Sequence, residues 1–143
     1  IRNCSIYDCL DEFTKKEELD KYDSTQPQDT YYRKLSFWKT PHLLIICFKR
    51  FNNMARKLNN HVLFPIYRLN LSKYSMKYEE DSALYNLYGV CNHVGNSFSG
   101  HYYAYCKNEN NKWYEYNDDK VNEIKESNLN TQHAYCLFYK KIL

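Results

Sequence analysis

The stretch from Asn92 to Val121 constrains the fold more than any other. Tyr102 to Lys107 is composed of residues that favour extended backbone, Asn108 to Asn111 supplies turn formers, and Lys112 to Tyr116 returns in strand-favouring composition. A short turn between two such runs forces antiparallel pairing, so the chain must contain a sheet built outward from this hairpin. Glycines at 95 and 100 bracket the polar loop Asn96 to Ser99, and Gly100 leads directly into His101. With a four-residue turn, Lys107 faces Lys112. Counting outward then sets His101 opposite Asp118 with Asn117 one position away, directly opposed Cβ atoms being about 5 Å apart. A histidine and a side-chain acceptor thus meet at the hairpin's open end. An acceptor so placed can fix the imidazole tautomer that a nucleophile needs, and the same pairing also occurs as an ordinary surface hydrogen bond.

The flanking chain supplies further strands and short helices. Ser5 and Asp8 have capping-box spacing ahead of Ile6, Cys9, Leu10 and Phe13, which share one helical face, and Thr14 with Glu17 predicts a second helical turn through Leu19. Asp20 to Asp29, with Pro27, is a polar loop, and Tyr31 to Trp38 alternates as a strand. The unbroken apolar run Leu43 to Phe48 predicts a central strand buried on both faces. Asn52 to Asn60 is a polar connection, His61 to Phe64 a short strand stopped by Pro65, and Glu79 to Asp81 an acidic loop. Leu84 to Asn92 is a longer strand, Glu126 to Gln132 a helical turn, and Ala134 to Tyr139 a closing apolar strand. Many strands with few short helices make an α+β domain on an antiparallel or mixed sheet.

Composition narrows the functions. At 143 residues the chain is one domain with one core. A net charge of +3 on scattered lysines gives no basic face for nucleic acid. No long apolar run and no leader-like start point to a membrane span or signal peptide, so the expectation is a soluble, intracellular protein. The six cysteines, at 4, 9, 47, 91, 106 and 136, fall mostly in apolar strands or helix faces, which favours reduced, buried thiols over a disulfide framework. The 16 tyrosines, with no basic stripe beside them, read as strand formers and not as a stacking surface for bases.

Taken in order, these residues resemble the carboxy-terminal part of a ubiquitin-specific protease catalytic domain, the papain-like deubiquitinases. Ser5 to Phe13 is similar to the family's helix ahead of its fingers, and Pro41 to Phe51 to its Leu-rich strand ending in Lys-Arg-Phe. Phe64-Pro65 and Leu69 to Tyr74 follow suit. Tyr88 through Asp118 resembles the histidine box, with Asn92-His93, Gly95, Gly100-His101-Tyr102, Ala104-Tyr105 and Trp113 in their places, and Ala134 to Tyr139 resembles the terminal strand. The resemblance implies a papain-like fold, with residues 1–143 forming part of the palm and fingers. It implies that His101 is the general base, Asn117 the third triad member and Asp118 its acidic neighbour. It also implies that Asn92, His93, Gly95, Phe98, Gly100 and Tyr102 lie along the channel for ubiquitin's tail. The implied reaction is thiol-mediated cleavage of ubiquitin's terminal peptide or isopeptide bond. The implied partners are ubiquitin, ubiquitinated proteins and an amino-terminal part of the same domain. The implied location is cytoplasmic or nuclear, and no cofactor is implied.

Two departures stand out. The family's Gly, Asn, Thr-Cys box is absent from these residues, and no cysteine here replaces its nucleophile. Cys106, five residues beyond His101 on one strand, points to the opposite face, and Cys91 sits in a strand instead of at a helix N-terminus. The paired Cys-x-x-Cys motifs of zinc-bearing relatives are also absent, Tyr22 to Gln26 standing where one would fall, so no structural zinc is expected. A catalytically inert ubiquitin-binding scaffold is the alternative, although an inert copy has no chemical need of both His101 and Asn117.

Overall fold

The computed structural model describes residues 4–19, 30–76 and 83–142. Among these the chain runs β1 (Cys4–Ser5), α1 (Ile6–Phe13), β2 (Glu17–Leu19), β3 (Tyr31–Arg33), β4 (Leu43–Cys47), β5 (Val62–Leu63), β6 (Leu69–Asn70), β7 (Leu84–Gly95), β8 (Gly100–Lys107), β9 (Trp113–Asn117), β10 (Lys120–Ile124), a 3-10 turn (Glu126–Asn128) and β11 (Ala134–Lys141). The loops expected at 20–29 and at Glu79 to Asp81 lie outside the described residues. Among the described residues no helix is long and apolar enough to cross a membrane, which says nothing of strands that might do so in a barrel.

Helix α1 starts as its capping residues dictate. Ser5 Oγ accepts from Asp8 N at 3.2 Å and Asp8 Oδ2 accepts from Ser5 N at 2.8 Å, a reciprocal box that satisfies two otherwise orphaned donors. Ile6 and Leu10 are buried while Phe13, on the same stripe, is exposed and stacks on Phe37. The second helical turn is not formed. Thr14 Oγ1 donates back to Leu10 O at 2.8 Å, closing α1 instead of opening a new helix. Glu17 to Leu19 pairs with Tyr31 to Arg33 as a two-stranded ribbon, fastened by Arg33 to Glu17 at 2.6 Å.

The main sheet is antiparallel, in the order β10-β9-β8-β7-β11-β4, with β6 beside the first residues of β7 that β8 does not reach. This reverses the expectation that Leu43 to Phe48 is a central strand buried on both faces. Among the described residues the Leu43–Cys47 run is an edge strand paired to β11 alone, with Leu43 and Ile45 more than half exposed, whereas the closing strand β11 lies inside the sheet. Strand β10, a short polar run, was not foreseen and forms the other edge.

One face of the sheet carries the core. Tyr85, Leu87 and Val90 of β7, Leu137 and Tyr139 of β11, and Trp113 of β9 are at most 2% exposed and cluster with Ile6, Leu10, Phe64, Leu69 and Leu71. The buried aromatic heads are all hydrogen-bonded: Tyr85 to Pro41 O at 2.5 Å, Tyr139 to Pro65 O at 2.6 Å, and Trp113 Nε1 to Glu126 Oε1 at 3.2 Å. Burial pushes the Tyr139 phenol well above its usual range, so it remains a neutral donor.

Candidate active site

The hairpin turn sets the geometry of the site. Asn111 N donates to Asn108 O at 2.9 Å and Asn108 N to Lys112 O at 2.9 Å, while Asn111 adopts a left-handed φ of 62°. The loop is therefore a turn followed by a left-handed residue, and Lys107 pairs with Trp113, not Lys112. This one-residue shift corrects the expected register. Ala104 faces Tyr116, so the alignment carries Tyr103 to Asn117, and His101 shares a sheet face with Asn117 as its diagonal neighbour. Asp118 has left the strand at φ 53°, in the tight turn that joins Asn117 to Lys120.

The side chains follow that parity. His101 Nε2 lies 2.7 Å from Asn117 Oδ1 and 3.9 Å from Asp118 Oδ2. Only the first is a hydrogen bond, and because an amide oxygen accepts, Nε2 is its donor. The His101 side chain is 47% exposed and that of Asp118 is 77% exposed, so the open end of the hairpin faces solvent.

The loop ahead of His101 is short and internally tied. Asn96 Oδ1 accepts from Phe98 N at 2.8 Å and Ser99 N at 2.9 Å, and Asn96 N donates to Ser99 O at 2.8 Å. Gly95 closes it at φ +118°, where an added Cβ would sit 2.4 Å from Ser99 O. Phe98 stands at its tip, 93% exposed, and Tyr102 is also exposed. Asn92 and His93 differ from expectation. They are 0% and 4% exposed and offer no surface to a bound peptide. His93 packs beneath the loop against the rings of Phe51, Tyr102 and Tyr135, and a Cβ on Gly100 would fall 2.2 Å from its Nε2. Burial, and then the charge of Lys57, push the His93 pKa down and keep the ring neutral.

Two supporting residues are given no role by the sequence, although Arg50 falls in the Lys-Arg-Phe match. Lys57, in what reads as a polar loop, donates to His93 O at 2.6 Å. Arg50 is 3% exposed and donates to Ala134 O, Leu58 O and Asn60 O, tying the end of β4 to β11 and to that loop. Their charge argues for the surface, and backbone carbonyls brought from distant segments account for the burial of Arg50 and the partial burial of Lys57.

Cys91 and Cys106 lie on the sheet face opposite His101, and burial pushes both thiols up, away from the reactive thiolate. Among the described residues no three His, Cys, Asp or Glu side chains converge as metal ligands.

Comparison with known proteins bears on this arrangement. Residues 3–139 match the family model described as ubiquitin carboxyl-terminal hydrolase. Ubiquitin carboxyl-terminal hydrolase 9 of Arabidopsis thaliana is 36% identical over 147 residues, covering 96% of this chain and 16% of the relative. Ubiquitin carboxyl-terminal hydrolase 8 of Saccharomyces cerevisiae is 34% identical over 152 residues, covering 94% of this chain and 32% of the relative. Among solved structures, a chain of the SAGA Ubp8/Sgf11/Sus1/Sgf73 DUB module bound to ubiquitin aldehyde superposes with a TM-score of 0.86 at 32% identity, covering 98% of this chain and 34% of the other. The chain thus spans about a third or less of the length of these relatives.

Proposed function

This chain belongs to the ubiquitin carboxyl-terminal hydrolase family, and on that premise we propose that it supplies the base half of a deubiquitinase active site. The observation that carries the reading is the 2.7 Å hydrogen bond from His101 Nε2 to Asn117 Oδ1. With Nε2 committed to Asn117, Nδ1 accepts the proton of a cysteine thiol contributed by residues outside these 143. The thiolate attacks the carbonyl carbon of ubiquitin's terminal glycine, and His101 returns the proton to the departing lysine amine. Water then attacks the acyl-enzyme under the same base. Asn117 holds the imidazole and stabilises its charged form without adding a charge. Asp118, too far for a hydrogen bond to His101, acts through its field.

The exposed loop from Gly95 to Gly100, with Phe98 at its tip, and Tyr102 beside it form the wall along which ubiquitin's tail lies. His93 acts from below by fixing that wall's base. The partners are ubiquitin, ubiquitinated proteins and the amino-terminal, cysteine-bearing part of the same catalytic domain, in the cytoplasm or nucleus. Six unpaired cysteines support a reducing compartment.

The test uses the full-length protein and a fluorogenic ubiquitin C-terminal amide. Turnover should be present, and His101→Ala should reduce it by several orders of magnitude while ubiquitin affinity changes little. Ubiquitin binding with no turnover in the unaltered full-length protein would instead establish the inert scaffold. The 143 residues alone should give no turnover, and activity abolished by changing Cys91 or Cys106 would refute an external nucleophile.

A further inference from the structure

A pair of thiols lies apart from the site. Cys47 ends β4 and Cys136 sits directly opposite it on β11. Phe48 N donates to Tyr135 O at 2.9 Å and Lys141 N to His42 O at 2.8 Å, which marks the 48–135 and 42–141 positions as hydrogen-bonded pairs. Antiparallel ladders alternate, so 47–136 is a non-hydrogen-bonded pair, the closer kind, with Cα atoms about 4.5 Å apart. That separation lies inside the window of about 4.4–6.8 Å that a disulfide spans. The two sulfur atoms are 2.8 Å apart. By comparison, the sulfurs of Cys4 and Cys9, which join a strand to a helix, are 3.7 Å apart.

We propose that Cys47 and Cys136 are a reversible redox pair, closed to a cross-strand disulfide by hydrogen peroxide and reopened by a dithiol. Cys47 is exposed at the sheet edge and takes the first step. Its thiolate attacks peroxide, an S–O bond forms as the O–O bond breaks, and the released hydroxide leaves as water. The Cys136 sulfur then attacks the sulfenic acid, the S–S bond forms, the S–O bond breaks, and the second oxygen leaves as water with the Cys136 proton. Two thiols lose two electrons and one peroxide becomes two waters. Burial, together with the neighbouring Cys47 thiol, pushes the Cys136 thiol up to about 12, which argues against its making the first attack.

The bond would staple a strand whose only ladder partner among the described residues is β11. Cys136 adjoins core-facing Leu137 and therefore points to the opposite face, whereas His101 lies on the core face's parity, opposite Val94. The pair is thus separate from the histidine and its acceptor, and the inference does not rest on how that site works. It concerns the clamp between β4 and β11, the two elements that Arg50 also joins.

The experiment treats reduced full-length protein with stoichiometric hydrogen peroxide, blocks remaining thiols with an alkylating reagent and maps peptides by mass spectrometry. Linked peptides containing Cys47 and Cys136, released by dithiothreitol, are expected. The oxidised protein should melt higher than the reduced form by about 5 °C or more, a gain absent from Cys47→Ser and Cys136→Ser. Cys47 alkylated as freely after peroxide as before, Cys136 joined instead to Cys91, or identical melting of both redox forms would each overturn the proposal.

Discussion

Changing Asn117 and Asp118 separately to alanine in the complete enzyme tests which of them serves His101. The distances assign different physics to the two. Asn117 makes a 2.7 Å hydrogen bond to Nε2, and a bond to a charged imidazolium is worth about 1.5–3 kcal/mol, or about 10- to 150-fold in rate. Because the His101 side chain is 47% exposed, the lower part of that range applies, and Asn117→Ala should lower kcat/KM by at least about tenfold. Asp118, 3.9 Å from Nε2, has no hydrogen bond to His101 to lose. Two unit charges about 4 Å apart interact by about 1 kcal/mol in water, and with the Asp118 side chain 77% exposed the aqueous limit applies, giving a loss of about fivefold at low salt. The salt response separates the two further, since the field of an exposed carboxylate is screened and a hydrogen bond is not. Kinetics with the fluorogenic ubiquitin amide from low to high ionic strength should show an Asp118→Ala defect that fades and an Asn117→Ala defect that persists. Asn117→Asp should be tolerated. If Asp118→Ala is the more damaging change, and stays so in high salt, the carboxylate orients the ring and the assignment must be reversed.

Two other perturbations probe the support beneath the loop. Gly100→Ala would force a Cβ to within 2.2 Å of His93 Nε2, so it should cost about 1–3 kcal/mol in denaturant titration and reduce turnover; unchanged stability would show that the His93 ring can move aside. His93 has a folded pKa below its ordinary 6.5, so the unfolded chain binds more protons near that pH. Its contribution is then complete above about pH 6.5 and is lost as pH falls below it, so the drop in melting temperature from pH 7 to pH 5 should be smaller in His93→Gln than in the unaltered protein. Equal drops would mean that His93 titrates freely.

What could be read of the fold from sequence followed from signals that are local. The Ser5–Asp8 box, the β8–β9 hairpin and the apolar β11 depend on neighbours a few residues away, and each is present in the structure. Strand position within the sheet is not local. Leu43 to Cys47 and Ala134 to Tyr139 have the same apolar character, yet the first is an edge and the second is interior. An apolar run reports only that both faces avoid water somewhere in the working protein. Among the described residues, Leu43 and Ile45 remain exposed. The Thr14–Glu17 signal failed for a related reason, because a threonine can bond backward to close one helix as readily as forward to open another, and Leu10 O was within reach.

The site shows the same division more sharply. Composition located a turn at Asn108 to Asn111 but not its residue count, because asparagine accepts left-handed backbone at several of those positions. Side chains alternate with a period of two, so a one-residue difference in the turn moves every later residue to the other face. The left-handed φ of 62° at Asn111 is the physical event that sets the count. It turns Asn117 toward His101 and leaves Asp118 to the following turn. The family resemblance favours Asn117 on pattern alone, against the simple geometric count. Register gives the geometry alone: among 117, 118 and 119 on the outgoing chain, the one still in the strand and on the histidine's face is 117.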